Sequence, residues 1–353
     1  MTEKYRNIAD MLELELRQMR AEGKTRLPSE QELAASCSCS RQTVRAALEV
    51  LSRKGLIVKR RGSGSYIADK VFSSKQVFFI TEDCDRYQSP ALISGLKDRL
   101  AQHRYELKVF STGGNPGEEA DVLSRAVSER PAALVIEPVC DVLPDPNYRL
   151  IEDVASGGTP VIYCNSTCNI PDGSVYITPD FRDGGRTITT RLLKNGSRKP
   201  ACIFRMDDSS GLEGYKGYID ALSDLSIAFD GARCLLLSYK EQKEIFSGYD
   251  RRLVSFAKEI LKNCDSVICQ NGIYARLIAG ILKNLGIGIA VASMDSSYYT
   301  DRGESGILSP DYDLDALCKA LSKTCISAAE GRDVKSIMVP VKGLLVSQIA
   351  KPT

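Results

Sequence analysis

Arg41, Gln42, Thr43 and Arg45 stand within five positions of one another, and Arg60 and Arg61 follow beside Gly62. Guanidinium groups suit guanine edges and phosphates, a carboxamide suits adenine, and a hydroxyl donates to phosphate oxygens. Such groups bind only if an element holds them outward together. Val44, Ala47, Leu48 and Leu51 recur at helical spacing and give the first four residues an apolar face to stand on. Ser40 supplies an N-cap and Gly55 the stop. Upstream, Ser29 and Glu32 form a capping box ahead of Leu33 and Ala34, a short face that ends at Ser36-Cys37-Ser38-Cys39. Leu56 to Lys59 and Tyr66 to Ala68 predict two short strands joined by Arg60-Arg61-Gly62-Ser63-Gly64. Helix, tight turn, helix and basic hairpin together make a winged helix-turn-helix. A small helical domain with a solvated basic face is the plainer alternative. Arginines at a helix start and a hairpin tip, flanked by hydroxyls and glycines, favour DNA.

The run LPSEQELA…SRQTVRAALEVLSRKGLI…RRGSGSYI, within residues 27–67, resembles without a gap the DNA-binding domain of GntR-family bacterial transcription regulators. The resemblance implies DNA contacts at Ser40, Arg41, Thr43 and Arg45 in the recognition helix, and at Arg61 and Gly62 in the wing. Many members carry an arginine just after the LPSE motif. Here the position is Gln31, which implies a weaker, uncharged phosphate contact.

Charge divides along the chain. Residues 1–70 hold fourteen Lys/Arg against nine Asp/Glu, and the remainder holds thirty-three against thirty-six, giving +2 in total. A basic head on a slightly acidic body fits a nucleic-acid module joined to one that does not touch nucleic acid. The charged N-terminus lacks a secretory apolar core, and no run is long enough to span a membrane, so the expected compartment is the cytoplasm. Twelve cysteines without a CxxC pair, and the single His103, predict buried thiols in a reduced protein, no metal site and no cofactor. The Cys37-x-Cys39 pair lies in the turn before the recognition helix, where a structural role is favoured over redox sensing and the latter stays an alternative.

Residues 5–20 predict a first helix with the apolar stripe Ile8, Met11, Leu12, Leu16 and Met19, and 69–76 a polar linker. From Val77 the pattern changes to apolar strand-like runs alternating with amphipathic helices. The strands fall at Val77–Ile80, Glu106–Phe110, Ala133–Glu137, Val161–Cys164, Pro200–Phe204, Ala232–Leu237, Ser266–Cys269 and Ile289–Ala292. The helices fall at 90–103, 117–129, 148–157, 183–193, 212–223, 249–262 and 273–285. Such alternation predicts an α/β body with parallel sheets covered on both faces, in two successive lobes. The expected domains are a winged helix-turn-helix at 1–68, the linker at 69–76, and a two-lobed effector-binding and dimerisation domain at 77–353.

Ligands of such sheets bind beyond the carboxyl ends of the strands. Those ends carry Thr81-Glu82-Asp83 with Tyr87-Gln88, then Ser111-Thr112, Glu137-Pro138 and Asn165 in the first lobe. In the second they carry Arg205-Met206-Asp207-Asp208, Gln270-Asn271 and Met294-Asp295. Polar residues follow most strands simply because loops meet water. Carboxylates, amides and an arginine converging from both lobes, with tyrosines nearby, suit a polyhydroxylated small molecule. The candidate effector residues are Tyr87, Gln88, Glu137, Asn165, Arg205, Asp207, Asn271 and Asp295.

Residues 77–349 resemble the LacI/GalR effector domain, of periplasmic-binding-protein type I fold, and are similar to arabinose-responsive repressors of the GntR type. The resemblance lies in LVIEPVCDVLPDPN (134–147), PVIYCN (160–165), DGG (183–185) and FRMDDSSG (204–211), with weaker echoes in VICQNG (267–272) and VASMDSS (291–297). By position it implies effector contacts at Tyr87, Glu137, Asn165, Arg205, Asn271 and Asp295. Three departures loosen the choice of ligand. Gln270-Asn271-Gly272 replaces a Tyr-Asn-Asp type sequence, GLEGYKGY with Gly214 and Tyr215 replaces a sugar-clasping arginine, and Ser347-Gln348-Ile349 replaces Arg-x-Ser.

No GxSxG, HExxH, P-loop or GxGxxG follows a strand, which disfavours an enzyme acting on a sugar. A body that only dimerises the heads across a degenerate cleft is the remaining alternative. The expected function is a sugar-responsive repressor of carbohydrate uptake and catabolism genes. It would bind a pseudo-palindromic double-stranded operator as a homodimer and be released by an inducer.

Overall fold

A computed structural model describes residues 4–21, 24–60, 63–68, 74–85, 89–295 and 307–346. The head contains α1 (Lys4–Ala21), α2 (Glu30–Ser36), α3 (Arg41–Arg53) and the antiparallel pair β1 (Ile57–Arg60) and β2 (Gly64–Ile67). Its core gathers Ile8, Leu12 and Leu16 of α1, Leu33 of α2, Val44, Ala47, Leu48 and Leu51 of α3, and Ile57 and Ile67 of the hairpin. Met11, expected in the α1 stripe, is 41% exposed, and Ala9 takes the inward position. Gly55 ends the recognition helix at φ +70°, a left-handed conformation that favours glycine.

The body has two six-stranded sheets. Its first stretch runs β3 (Gln76–Thr81), α4 (Ser89–Gln102), β4 (Glu106–Ser111), α5 (Pro116–Glu129), β5 (Ala133–Ile136), α6 (Tyr148–Ser156), β6 (Val161–Cys164) and β7 (Val175–Pro179). The second runs α7 (Phe181–Lys194), β8 (Pro200–Arg205), α8 (Ser209–Asp224), β9 (Cys234–Leu237), α9 (Tyr239–Phe246), α10 (Arg251–Glu259), β10 (Ser266–Cys269), α11 (Gly272–Leu285), β11 (Ala290–Ser293) and β12 (Leu308–Tyr312). Then α12 (Leu314–Ala329) and β13 (Ile337–Val339) return to the first lobe, and β14 (Val341–Val346) closes the second.

The strand orders are β13-β7-β6-β5-β3-β4 and β14-β12-β11-β10-β8-β9, parallel except for the β12–β14 pair. Alternation within buried strands feeds two cores per sheet. Val77 and Phe79 of β3 pack with Leu92 and Leu96 of α4 and Leu321 of α12, while Phe78 and Ile80 pack with Leu123 and Ile151. In the second lobe Ala201 and Ile203 face Phe256 and Ile278, while Cys202 and Phe204 face Ile188 and Tyr218.

Several expectations need correction. The lobes are interleaved rather than successive, because the chain returns after β12. Gln76 belongs to β3, not to the linker. The expected 249–262 helix is α10 followed by a 3-10 turn at Leu261–Asn263, and α9 precedes it. The pattern gave no sign of β7, β12, α12, β13 or β14. All twelve cysteines are free, five of them buried and seven half-buried. Among the described residues no helix is long and apolar enough to cross a membrane.

Glycines in α7 and α8 let the two helices touch backbone to backbone. A Cβ on Gly185 would lie 2.2 Å from the Gly214 carbonyl, and one on Gly217 would lie 2.0 Å from the Arg182 carbonyl. The GLEGYKGY departure has a packing cause of its own: a Cβ at Gly214 would lie 3.0 Å from the Phe204 ring and 3.1 Å from Met294 Cε. Arg182–Asp220 and Arg186–Asp224, each at 2.7 Å, flank the contact.

Candidate functional site

The first site is the outer face of the head. The Ser29 hydroxyl accepts from the Glu32 amide at 3.3 Å, and the Glu32 carboxylate accepts from the Ser29 amide at 2.7 Å. Ser40 caps α3 by accepting from the Thr43 amide at 3.1 Å, and its hydroxyl lies 2.8 Å from that of Thr43. Two candidate contact residues are thus also the cap that fixes where the recognition helix begins. Arg41, Gln42 and Arg45 are exposed on its first turns, as is Gln31 on α2. Arg45 has only a loose pairing with Glu30 at 3.8 Å, weak enough in water to yield to a phosphate or base.

In the hairpin the Arg60 guanidinium lies 4.5 Å from the Tyr66 ring centre, a stacking that stiffens its reach. Arg61 and Gly62 lie outside the described residues. Arg26, which sequence reasoning passed over, bridges to Tyr66, and its guanidinium would meet a Cβ at Gly64 at 3.4 Å. It adds an exposed cation beside the wing. Only its tertiary pairing reveals this, since it precedes the LPSE motif in an unpatterned segment.

The second site is a cavity of about 190 Å³ between the lobes. Glu137, Asn165, Arg205, Asn271 and Asp295 all line it. Tyr87 and Gln88 lie outside the described residues. Asp207 does not line the cavity: it accepts from the Tyr239 amide at 2.7 Å and sits 3.1 Å from Arg205 Nε, so its neighbour Asp208 is the lining residue.

On the first-lobe side, Glu137 accepts from Thr81 Oγ1 and, at 2.6 Å, from Asn165 Nδ2. Burial pushes the Glu137 carboxyl up to about 7, against the pull of those two bonds. Asn165 holds a left-handed backbone, φ +55°, and its buried Oδ1 finds no donor among the described residues. That oxygen is an acceptor held ready at the cavity wall.

On the second-lobe side, Asn271 caps α11 by accepting from the Tyr274 amide at 3.0 Å, and Asp295 accepts from the Gly272 amide at 2.9 Å. Gln270 ties the floor together, accepting from the Arg205 amide at 2.5 Å and donating to Asp208 at 2.9 Å. The glutamine that departs from the family pattern is thus a strut for Arg205. Arg205 itself is buried among carboxylates. Burial would lower its pKa, but Asp208, Glu82 and Asp207 overcome this and hold it above its ordinary value.

The lobes meet across the cavity. Arg205 Nη1 donates to Glu82 at 2.8 Å, the Ser209 amide donates to Asp141, and the Tyr239 hydroxyl donates to the Gly113 carbonyl. Phe181 and Tyr312 line the cavity where the chain crosses between lobes. Glu82, Asp141, Asp208, Gln270 and Tyr312 were not among the candidates. Glu82 and Asp208 were legible as strand-end residues, but choosing them over their neighbours needs the cap and ion-pair geometry. Asp141 and Tyr312 carried no sequence signal.

A winged helix with an outward polar face, joined to a two-lobed α/β body with a polar cavity at the strand ends, defines a DNA-binding regulator with a binding-protein-like effector domain. Comparison with known proteins agrees for each part. Residues 4–67 match the model of bacterial regulatory proteins of the gntR family, and residues 74–232 that of periplasmic binding proteins and the sugar binding domain of the LacI family. The chain is a transcription regulator with a GntR-type head and a LacI-type body.

Two curated relatives bear the name arabinose metabolism transcriptional repressor. That of Halalkalibacterium halodurans is 25% identical over 291 residues, 79% of this chain and 76% of its own. That of Geobacillus stearothermophilus is 25% identical over 270 residues, 75% and 73% of the two chains. Among solved structures, the complex of the transcriptional regulator CelR with cellobiose superposes with TM-score 0.66 at 16% identity, covering 91% of this chain and 99% of that one. A periplasmic binding protein/LacI transcriptional regulator from Alkaliphilus metalliredigens, complexed with D-xylulofuranose, gives 0.65 at 18%, covering 78% and 100%. At these identities the structures establish the shared fold.

Proposed function

We propose that this protein is a cytoplasmic homodimeric repressor that binds a pseudo-palindromic operator and releases it when a sugar-like inducer occupies the interlobe cavity. The observation that carries this reading is the cavity itself: carboxylates, amides and an arginine from both lobes face one small space, on a body joined to a DNA-reading head. Glu137, Asn165, Arg205, Asn271 and Asp295 would hold the inducer. At about 190 Å³ the space falls below the roughly 300–1,000 Å³ of drug-sized sites, which favours a single sugar ring over a disaccharide. The two relatives named as arabinose repressors make a pentose the first ligand to try.

Ser40, Arg41, Gln42, Thr43 and Arg45 would meet the major groove, with Gln31, Arg60, Arg61 and Gly62 on the backbone or in the minor groove. Two heads of a dimer would reach half-sites about one helical turn apart. A ligand that prefers one lobe arrangement shifts the population towards it and changes head separation, which lowers DNA affinity. The test is fluorescence anisotropy of the full chain on DNA from upstream of its own gene, with and without L-arabinose, D-xylose, D-ribose, D-glucose and D-galactose. Release of DNA by one sugar, lost in Asn271→Ala, is expected. DNA binding that no sugar alters would instead favour a body that only dimerises the heads.

A further inference from the structure

The cavity is lopsided in charge. Among the described residues, the carboxyl groups of Glu82, Asp83, Glu137, Asp141, Asp208 and Asp295 line it against one guanidinium, that of Arg205. That guanidinium is already engaged. Its Nη1 donates to both oxygens of Glu82, at 3.2 and 2.8 Å, and its Nε lies 2.6 Å from Asp208 and 3.1 Å from Asp207. Glu82 reaches it from the opposite lobe, one residue beyond the carboxyl end of β3.

A carboxylate laid on a guanidinium occupies the ground that a phosphate or carboxylate of a ligand would take, because both anions seek the same planar donors. We propose that Glu82 determines specificity in this cavity: it fills the anion-accepting face of Arg205, so that the effector is a hydroxylated molecule carrying no phosphate or carboxylate. This rests on the reading that the cleft binds a sugar-like effector, and names which sugars it refuses.

The remaining chemistry agrees. An entering anion would meet several carboxylates, and among the described lining residues no cation besides Arg205 offsets its desolvation. A hydroxyl can instead donate to Asn165 Oδ1, which finds no donor among the described residues.

Isothermal titration of the full chain tests this, using L-arabinose, D-xylose, D-ribose and D-glucose against D-ribose 5-phosphate and D-glucose 6-phosphate. A free sugar should bind, and phosphate esters should bind more weakly by roughly tenfold or more, the scale of one uncompensated charged contact. Glu82→Gln, which frees Arg205, should narrow that gap or invert it. Glu82→Asp, which keeps the charge, should preserve it. A wild-type protein that takes an ester as tightly as a free sugar overturns the proposal while leaving the sugar reading intact, and this comparison needs no variant to fold. A folded Glu82→Gln protein with an unchanged ratio overturns it as well. Silence from all six compounds overturns the sugar reading and the proposal together.

Discussion

Asp141, on the first lobe, receives the backbone amide of Ser209, the first residue of α8 on the second lobe, with both carboxylate oxygens at 3.0 Å. A negative group at a helix N-terminus is favourable, and here it also joins the lobes. The Ser209 hydroxyl reinforces the junction by accepting from the Thr167 and Cys168 amides at 3.4 Å.

Burial and then Asp208 push the Asp141 carboxyl from 3.8 up to about 7, so in the folded protein its neutral form persists at acid pH values where the unfolded chain's carboxyl is already ionised. The stabilisation tied to that neutral form is complete below the unfolded value and fades as pH rises through about 7. Melting temperature should therefore fall between acid and neutral pH, and Asp141→Asn should flatten that part of the profile. A variant profile as steep as the wild type would remove Asp141 from the cause.

Glu137 uses both oxygens as acceptors, from Thr81 and Asn165. Glu137→Ala removes both acceptors and leaves the Asn165 amide donor without its partner, at a cost of about 1–3 kcal/mol. Inducer affinity should drop by a corresponding factor, because Asn165 Oδ1 loses its fixed orientation. Unchanged binding in calorimetry would mean that Asn165 is positioned by its backbone alone.

Gly185→Ala or Gly217→Ala would force α7 and α8 apart at backbone atoms, which cannot rotate out of the way. Overpacking of this kind costs typically about 1–3 kcal/mol, read as a lower urea midpoint at unchanged slope. Gly280→Ala is the control, since a Cβ there meets nothing within 4 Å. Replacing glycine inside a helix there should stabilise by about 0.5–1 kcal/mol.

On the DNA side, Arg45→Ala and Arg60→Ala should differ in kind. Loss of a base-reading arginine costs about 1–3 kcal/mol and relaxes preference at one position, whereas loss of a phosphate contact weakens all sequences alike and reduces the salt slope by about one. Arg45, exposed on the recognition helix, is expected in the first class, and Arg60, stacked on Tyr66, in the second. Competition with mutated operators at two salt concentrations separates them.

The head was legible because its signals are local. Ser29 with Glu32, Ser40 with Thr43, and the Val44-to-Leu51 face act within one or two turns of helix. Most of the parallel strands, though not β7, β12 or β13, were legible as apolar runs, and the residues after them led to Glu137, Asn165, Arg205, Asn271 and Asp295. What escaped depends on contacts between distant segments. Asp207 and Asp208 are indistinguishable as neighbours in the chain, and only the α8 cap and the Tyr239 amide separate them. Beyond residue 292 the short strands β12 and β13 are built from partners far away in sequence, so neither shows a period of its own. Gly214 read as a lost sugar contact because its real constraints, the Phe204 and Met294 side chains, come from segments distant in the chain.

The three passages of chain between the lobes, near 180, 313 and 340, carry a consequence for modularity. No single gene segment encodes either lobe, and a nick at one passage leaves two covalent tethers in place. Neither lobe can be shed by proteolysis or exchanged by a simple recombination event. The head enters the body once, ahead of β3, so it is the part that shuffling can graft onto a different sensor.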